Sequence, residues 1–327
     1  MTSVSYAAAP PPPPPPAFPV RRSIGDVIRR GFDNAVANWP LLLIRVGETF
    51  VFGAISVAAA LAIIVPLLVS AGMGAFNPAD ATTFATTALT LITEHWLVII
   101  WALVVVALLL VAFFLIHSFV IGGVATILVD AEIAAGPAPA SRARFGAFTM
   151  ERWMAGGRAH WWAVFWIYNV AYGVAALIVL VPLVVMGGIM ILLHGSPAAI
   201  VAGCLGLSMA IAAGIFSAVI ASIWCQKAIV VRAARGCTGS DALRIAWAEA
   251  RADAGRHFAV AFVLMVIAFG GAGVIGMFSI VLAVPTAAIP MAGIFFMPLR
   301  ILISMIQSAF SAAAANWMLA SFAALSD

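Results

Sequence analysis

Arg300, Ser304, Gln307 and Ser311 step by four, three and four residues along an apolar segment, so a helix there presents them on one side. A guanidinium followed by hydroxyls and an amide suits an anion, either a lipid phosphate or a carboxylate, with the arginine as bidentate donor. In lipid such a stripe turns toward the bundle or an aqueous cavity. The competing reading is that Arg300 snorkels to the outer interface while the hydroxyls bond their own backbone. Arg45 and Glu48 stand three residues apart, shortly after Trp39-Pro40. A pair at that spacing neutralises itself and so tolerates partial burial. It either binds a lipid headgroup or coupling ion, or marks the cytoplasmic interface. His117 lies in an apolar stretch with no carboxylate close in sequence, which favours packing over proton relay. Tyr168, Asn169 and Tyr172 are able to hydrogen-bond across helices.

Bond-making chemistry has no visible carrier. There is no H-E-x-x-H, no G-x-S-x-G and no P-loop sequence, and no two carboxylates are placed as an acid–base couple. Cys204 and Cys225 share an apolar stretch and Cys237 sits in a basic loop, which forms neither a metal set nor a disulfide framework. The expectation is a protein without catalysis, cofactor or metal.

The elements that must position these residues follow from composition. The chain is 65% hydrophobic and 9% charged, against roughly 25% charged in a soluble domain. Only lipid covers so much apolar surface. Except for Arg300, every basic residue falls within 21–45, 142–158 or 227–256. These clusters flank apolar spans, so the net charge of +4 speaks for an anionic leaflet and against nucleic acid.

Six stretches reach the about 20 apolar residues a crossing helix needs. They lie near 41–70, 96–128, 161–193, 199–229, 257–284 and 298–323. Their connections alternate between arginine-rich and arginine-free, which places the arginine-rich set, and both ends of the chain, on the cytoplasmic side of the membrane. Residues 1–20 lack the pattern of a cleavable signal, so the first span reads as a signal anchor. The prolines 10–16 make that stretch extended and spacer-like, giving a disordered tail (1–20) ahead of a six-helix domain (21–327).

A threefold repeat is also visible. The first, third and fifth spans each reach a Val-Pro, at Pro66, Pro182 and Pro285, and each follows an arginine-bearing segment. Ser23-x-x-Asp26 and Thr238-x-x-Asp241 read as helix caps, and Ser141 opens the middle segment. In the first segment Ile24, Val27, Ile28, Phe32 and Val36 share a face. The predicted fold is all-α and polytopic: six transmembrane helices in three pseudo-repeated hairpins, each preceded by an interfacial amphipathic helix.

Between spans, small residues should mediate packing. Gly206, Ala210, Gly214, Ala218 and Ser222 form one smooth face, and the fifth span carries Gly270, Gly271, Gly273 and Gly276. Gly122-Gly123 and Gly187-Gly188 are candidate kinks. Trp39, Trp96, Trp153, Trp161, Trp162 and Trp247 read as an aromatic belt.

The entry segments Ile24-Gly25-Asp26-Val27-Ile28-Arg29-Arg30-Gly31-Phe32 with Asn38-Trp39-Pro40, and Gly239-Ser240-Asp241-Ala242-Leu243-Arg244 with Arg256-His257-Phe258, carry a resemblance. With them the chain resembles a group of bacterial six-span proteins related to the membrane domain of glycerophosphoryl diester phosphodiesterases. The resemblance spans about residues 20–323. It implies a six-helix inner-membrane domain and brings no catalytic residues, since the phosphodiesterase chemistry belongs to a separate soluble barrel. The leading functional expectation is a non-enzymatic membrane protein that organises or handles lipids, with anionic headgroups as partners and a homo- or hetero-oligomer left open. The alternative is a transporter or channel for a small anionic or amphipathic solute, built on the Arg300 stripe.

Overall fold

The computed structural model of the protein describes residues 22–71, 96–137, 141–192, 196–288 and 292–325. The proline run and residues 72–95, with Asp80 and Glu94, lie outside them. Among the described residues there are eight α-helices and no strand. They are α1 (Ile24–Ala37), α2 (Pro40–Ala71), α3 (Trp96–Ala135), α4 (Met150–Leu192), α5 (Pro197–Arg235), α6 (Gly239–Ala252), α7 (Ala254–Ala288) and α8 (Ala292–Ala324). Six of them, α2, α3, α4, α5, α7 and α8, are long and apolar enough to cross a membrane. The chain is a multi-pass membrane protein.

The spans run longer than hydropathy alone suggests, because polar entry segments and Val-Pro pairs are absorbed into continuous helices. α2 continues past Pro66 to Ala71, α4 past Pro182 to Leu192, and α7 past Pro285 to Ala288. Proline removes one backbone hydrogen bond. In lipid the only good alternative partners lie within the helix, so the helix continues through it. α3, α5 and α8 touch one another and form the inner set. Around them, α2 lies against α3 and α8, α4 against α3 and α5, and α7 against α8 with a lighter contact to α5.

Two of the three expected entry helices form. Ser23 Oγ accepts from Asp26 N at 3.1 Å and Thr238 Oγ1 accepts from Asp241 N at 3.2 Å, giving α1 and α6 matching N-caps. The middle segment differs. Ser141 makes no side-chain cap, and only a 3₁₀ turn, Arg142–Phe145, precedes α4. Residues 150–160, expected as a surface helix, are instead the first turns of α4. The packing therefore leaves the threefold repeat unestablished.

Burial is strongly one-sided. Almost all of the core lies where α1, α6 and the 3₁₀ turn sit: Val27, Leu41, Val124, Leu128, Phe145, Ile229, Val260 and Phe322 are all at most 1% exposed. α1 lies on the bundle by only part of its apolar stripe. Its buried face is Val27, Arg30, Gly31 and Asn34, while Ile24 and Phe32 are exposed. A Cβ at Gly31 would fall 2.7 Å from Ser321 N, so α1 crosses α8 with backbones nearly touching. Gly123 serves the same purpose under Trp153, whose side chain a Cβ would meet at 2.5 Å. Gly122-Gly123 is thus a close-packing site within an unbroken helix. Trp153 is buried there against Phe119, so it is not part of an exposed aromatic belt.

Polar groups lock the same end. Arg22 Nη1 and Arg30 Nε reach Glu132 Oε1 at 3.0 and 2.9 Å. Asn38 Nδ2 donates to Phe145 O at 2.8 Å, and its Oδ1 accepts from Ala147 N and Phe148 N at 3.0 and 2.9 Å. Gly136 and Gly236, both at φ +63°, end α3 and α5 in the left-handed conformation glycine tolerates. An arginine collects each of their carbonyls: Arg30 for Gly136 and Arg232 for Gly236.

Candidate functional site

Away from that end the helices remain paired but leave space between pairs. Phe52 stacks on Phe113 at 4.3 Å to join α2 and α3. The small face of α5 meets α4: a Cβ on Gly206 would touch Met186 and one on Gly214 would touch Val179. This is the close packing its spacing implies. The glycines of α7 behave differently. Gly271 lies under Phe310, whereas Gly270, Gly273 and Gly276 have open space where a Cβ would stand.

Between α2, α3 and α8 lies a cavity of about 420 Å³. Arg45, Glu48, Thr49 and Phe52 of α2 and His117 of α3 form one wall, and Ser304, Gln307, Ser308, Ser311 and Ala312 of α8 the other. The helix period explains the second wall, since residues three and four apart share a face. It explains the first too: Arg45, Glu48, Thr49 and Phe52 follow one another at that spacing.

Glu48 is the organising group. Its side chain is only 4% exposed, and its Oε1 lies 2.7 Å from His117 Nδ1. Its Oε2 is 3.6 Å from Arg45 Nε. On the far side of the imidazole, His117 Nε2 lies 3.2 Å from the Tyr168 hydroxyl. Tyr168 stacks on Tyr172 with ring centroids 6.1 Å apart. A carboxylate, an imidazole and a phenol thus form a continuous hydrogen-bonded chain from α2 through α3 to α4. Arg45 Nη1 is buried with no hydrogen-bond partner among the described residues. A buried guanidinium N–H without an acceptor is costly, and a ligand carboxylate or phosphate supplies one.

The structure brings five of the six sequence-predicted site residues to one cavity: Arg45, Glu48, Ser304, Gln307 and Ser311. Arg300 is the exception. It is exposed and lies outside the lining, one turn beyond Ser304. The guanidinium that lines this cavity is therefore that of Arg45. His117, lacking a carboxylate near it in sequence, has one across the helix interface. Of the remaining polar residues of α4, Asn169 bonds its own helix at Phe165 O, 2.8 Å away.

Sequence reading missed Glu132, Asn38 and the Lys227–Glu249 pair. Lys227 Nζ meets Glu249 Oε2 at 2.9 Å, and Arg235 Nη2 meets Glu249 Oε1 at 2.6 Å. The signal for Glu132 was present: a carboxylate closing a long apolar stretch has to meet a cation, and the nearest cluster of arginines was unassigned. The cysteines Cys204, Cys225 and Cys237 are all free, and no cluster fit for a metal ion occurs among the described residues. Comparison with protein-family models, curated proteins and solved structures finds no match to this chain.

Proposed function

We propose that the protein is a non-catalytic carrier in the bacterial inner membrane, taking a small anionic or polar solute into the cavity between α2, α3 and α8. The observation that carries this reading is the cavity wall: a carboxylate, a guanidinium and an imidazole facing four hydroxyl and amide side chains, in helices long enough to span. Ionisable groups at such depth are expensive to keep, and their usual return is a binding site or an ion path. The volume of about 420 Å³ falls in the range of about 300–1,000 Å³ typical of ligand sites. Arg45 receives the anion through its Nη1, Glu48 holds the arginine in place, and the hydroxyls of α8 complete the coordination.

In this proposal the arginine-rich end faces the cytoplasm, where Arg142, Arg235 and Arg244 remain more than half exposed and able to meet anionic headgroups. Lipid association then serves orientation. It is weaker support for a dedicated lipid-organising role than the sequence suggests, because Arg22, Arg30 and Arg45 turn inward to Glu132 and Glu48. The resemblance to phosphodiesterase membrane domains is consistent with a non-catalytic six-span unit.

The test is flux into liposomes containing the purified protein, with radiolabelled phosphate and small mono- and dicarboxylates as solutes. Arg45→Gln should lower flux of the transported solute at least tenfold, and Arg300→Ala should leave it within twofold. No flux above protein-free liposomes for any solute, together with no binding to the detergent-solubilised protein, refutes the proposal.

A further inference from the structure

A second crevice lies between α1, α7 and α8, outside the polar cavity. It encloses about 260 Å³ and is lined chiefly by Phe32, Trp39, Ile267, Phe310, Asn316 and Trp317. Its character is the reverse of the first. Among the described residues no charged side chain lines it, and Phe32, Trp39, Phe310 and Trp317 supply aromatic rings to its wall. Trp39 and Phe32 are 58% and 43% exposed and form its rim at the α1–α2 junction.

One polar group interrupts this wall. Asn316 is 4% exposed, and its Oδ1 has no hydrogen-bond partner among the described residues. The neighbouring indole does not serve it, because Trp317 Nε1 donates to Ile28 O at 2.8 Å. A buried amide is normally satisfied, and one left open in an apolar wall calls for an explanation. Asparagine is a poor choice for filling apolar space, and a leucine of similar volume would carry no such cost.

We infer that this crevice binds an uncharged lipid bearing a free hydroxyl, of the diacylglycerol class, with the acyl chain among the aromatic rings and the hydroxyl paired to Asn316. A hydroxyl both donates and accepts, so it matches an amide in either orientation. The absence of charge from the wall excludes a phosphate or ammonium at this depth, since an ion buried without a partner is strongly disfavoured. The exposed rim of Trp39 and Phe32 gives entry directly from the bilayer, where such a lipid resides.

The experiment uses the full chain in phosphatidylcholine nanodiscs doped with a diacylglycerol carrying a photoactivatable diazirine in one acyl chain. Crosslinks should map to residues 32–42 and 310–317. Asn316→Leu should reduce labelling at least fivefold, and Ala313→Phe, which fills the crevice from an exposed position and leaves the amide intact, should do the same. On the wild-type chain, the same probe with its hydroxyl acetylated should label no better than the free probe labels the Asn316→Leu protein. Equal labelling by the acetylated probe would reduce the site to a generic apolar cleft and overturn the inference. So would labelling indifferent to both substitutions, preferential labelling by a diazirine phosphatidic acid, or a dimer that buries Trp39 against a second copy and labels with neither.

Discussion

The two halves of this bundle are built from the same apolar residue types and behave as different materials. At the α1/α6 end, helices touch through glycine, bury a nearly continuous core and pin it with ion pairs such as Arg30–Glu132, 2.7 Å apart. At the other end the pairs α2–α3, α4–α5 and α7–α8 stay in contact, and a polar cavity lies between α2, α3 and α8. Lipid removes much of the drive to bury apolar side chains, so close packing occurs only where small residues or hydrogen bonds supply another reason. The contrast teaches that glycine contacts and ion pairs, and not apolar content, decide where this bundle closes up.

That division is open to direct attack. The largest effect should come from Glu132→Ala, which strands Arg22 and Arg30 in the core. Stability of the detergent-solubilised protein should fall by about 3–5 kcal/mol, measured by thermal unfolding. A loss below about 1 kcal/mol would mean that the pairs are incidental and the halves are not distinguished by them. Next comes Gly31→Leu, where the new side chain meets the backbone of Ser321. Over-packing of this kind costs about 1–3 kcal/mol, and released α1 should become accessible to protease near Arg29 and Arg30.

A smaller effect is expected at Glu249. Burial raises its pKa, but the hydrogen bond and charge of Lys227, followed by Arg235, outweigh that and hold the carboxyl below its ordinary value of 4.5. The folded state therefore favours the ionised form. Its contribution is fully present above about pH 4.5 and is lost as pH falls through the lower folded value. A pH titration of unfolding should show this decline in the wild type and not in Glu249→Gln. Because Glu249 is 30% exposed, the change should be smaller than that of Glu132→Ala. The smallest effect should come from Gly273→Ala, in the open half. Nothing stands within 4 Å of the added methyl, so stability should stay within about 0.5 kcal/mol of wild type. A drop comparable to that of Gly31→Leu would erase the contrast between the halves.

Much of this architecture was legible before any coordinates. Composition and the spacing of basic clusters identified six spans, and helical spacing grouped Ser304, Gln307 and Ser311 on a shared side with Arg45 and Glu48 as the other charged candidates. What local sequence could not convey was the partner across a helix interface. His117 looked isolated because Glu48 is 69 residues away, and Arg30 was read with its cluster as meeting the anionic leaflet because Glu132 is 102 residues away. Periodicity also gave only part of the buried face of α1: Val27 is buried with its stripe, but so are Arg30, Gly31 and Asn34. In that helix an ion pair and an amide reward burial more than Ile24 and Phe32 do, and those two have lipid as an alternative. Arg300 failed for the opposite reason. It lies on the same side of α8 as the cavity residues but one turn too far along the axis.

The junction of α1 with α8 has a consequence for how the molecule is made. Arg22 Nη1 caps the Ala324 carbonyl at 3.0 Å, Trp317 Nε1 donates to Ile28 O, and Gly31 is seated on Ser321. α1 thus finds its seat only after α8, whose Trp317 lies 289 residues beyond Ile28, has entered the bilayer. Until then Gly31 has no Ser321 to rest on and the Ile28 carbonyl has no indole to accept from, so the docking of α1 belongs to the late steps of folding.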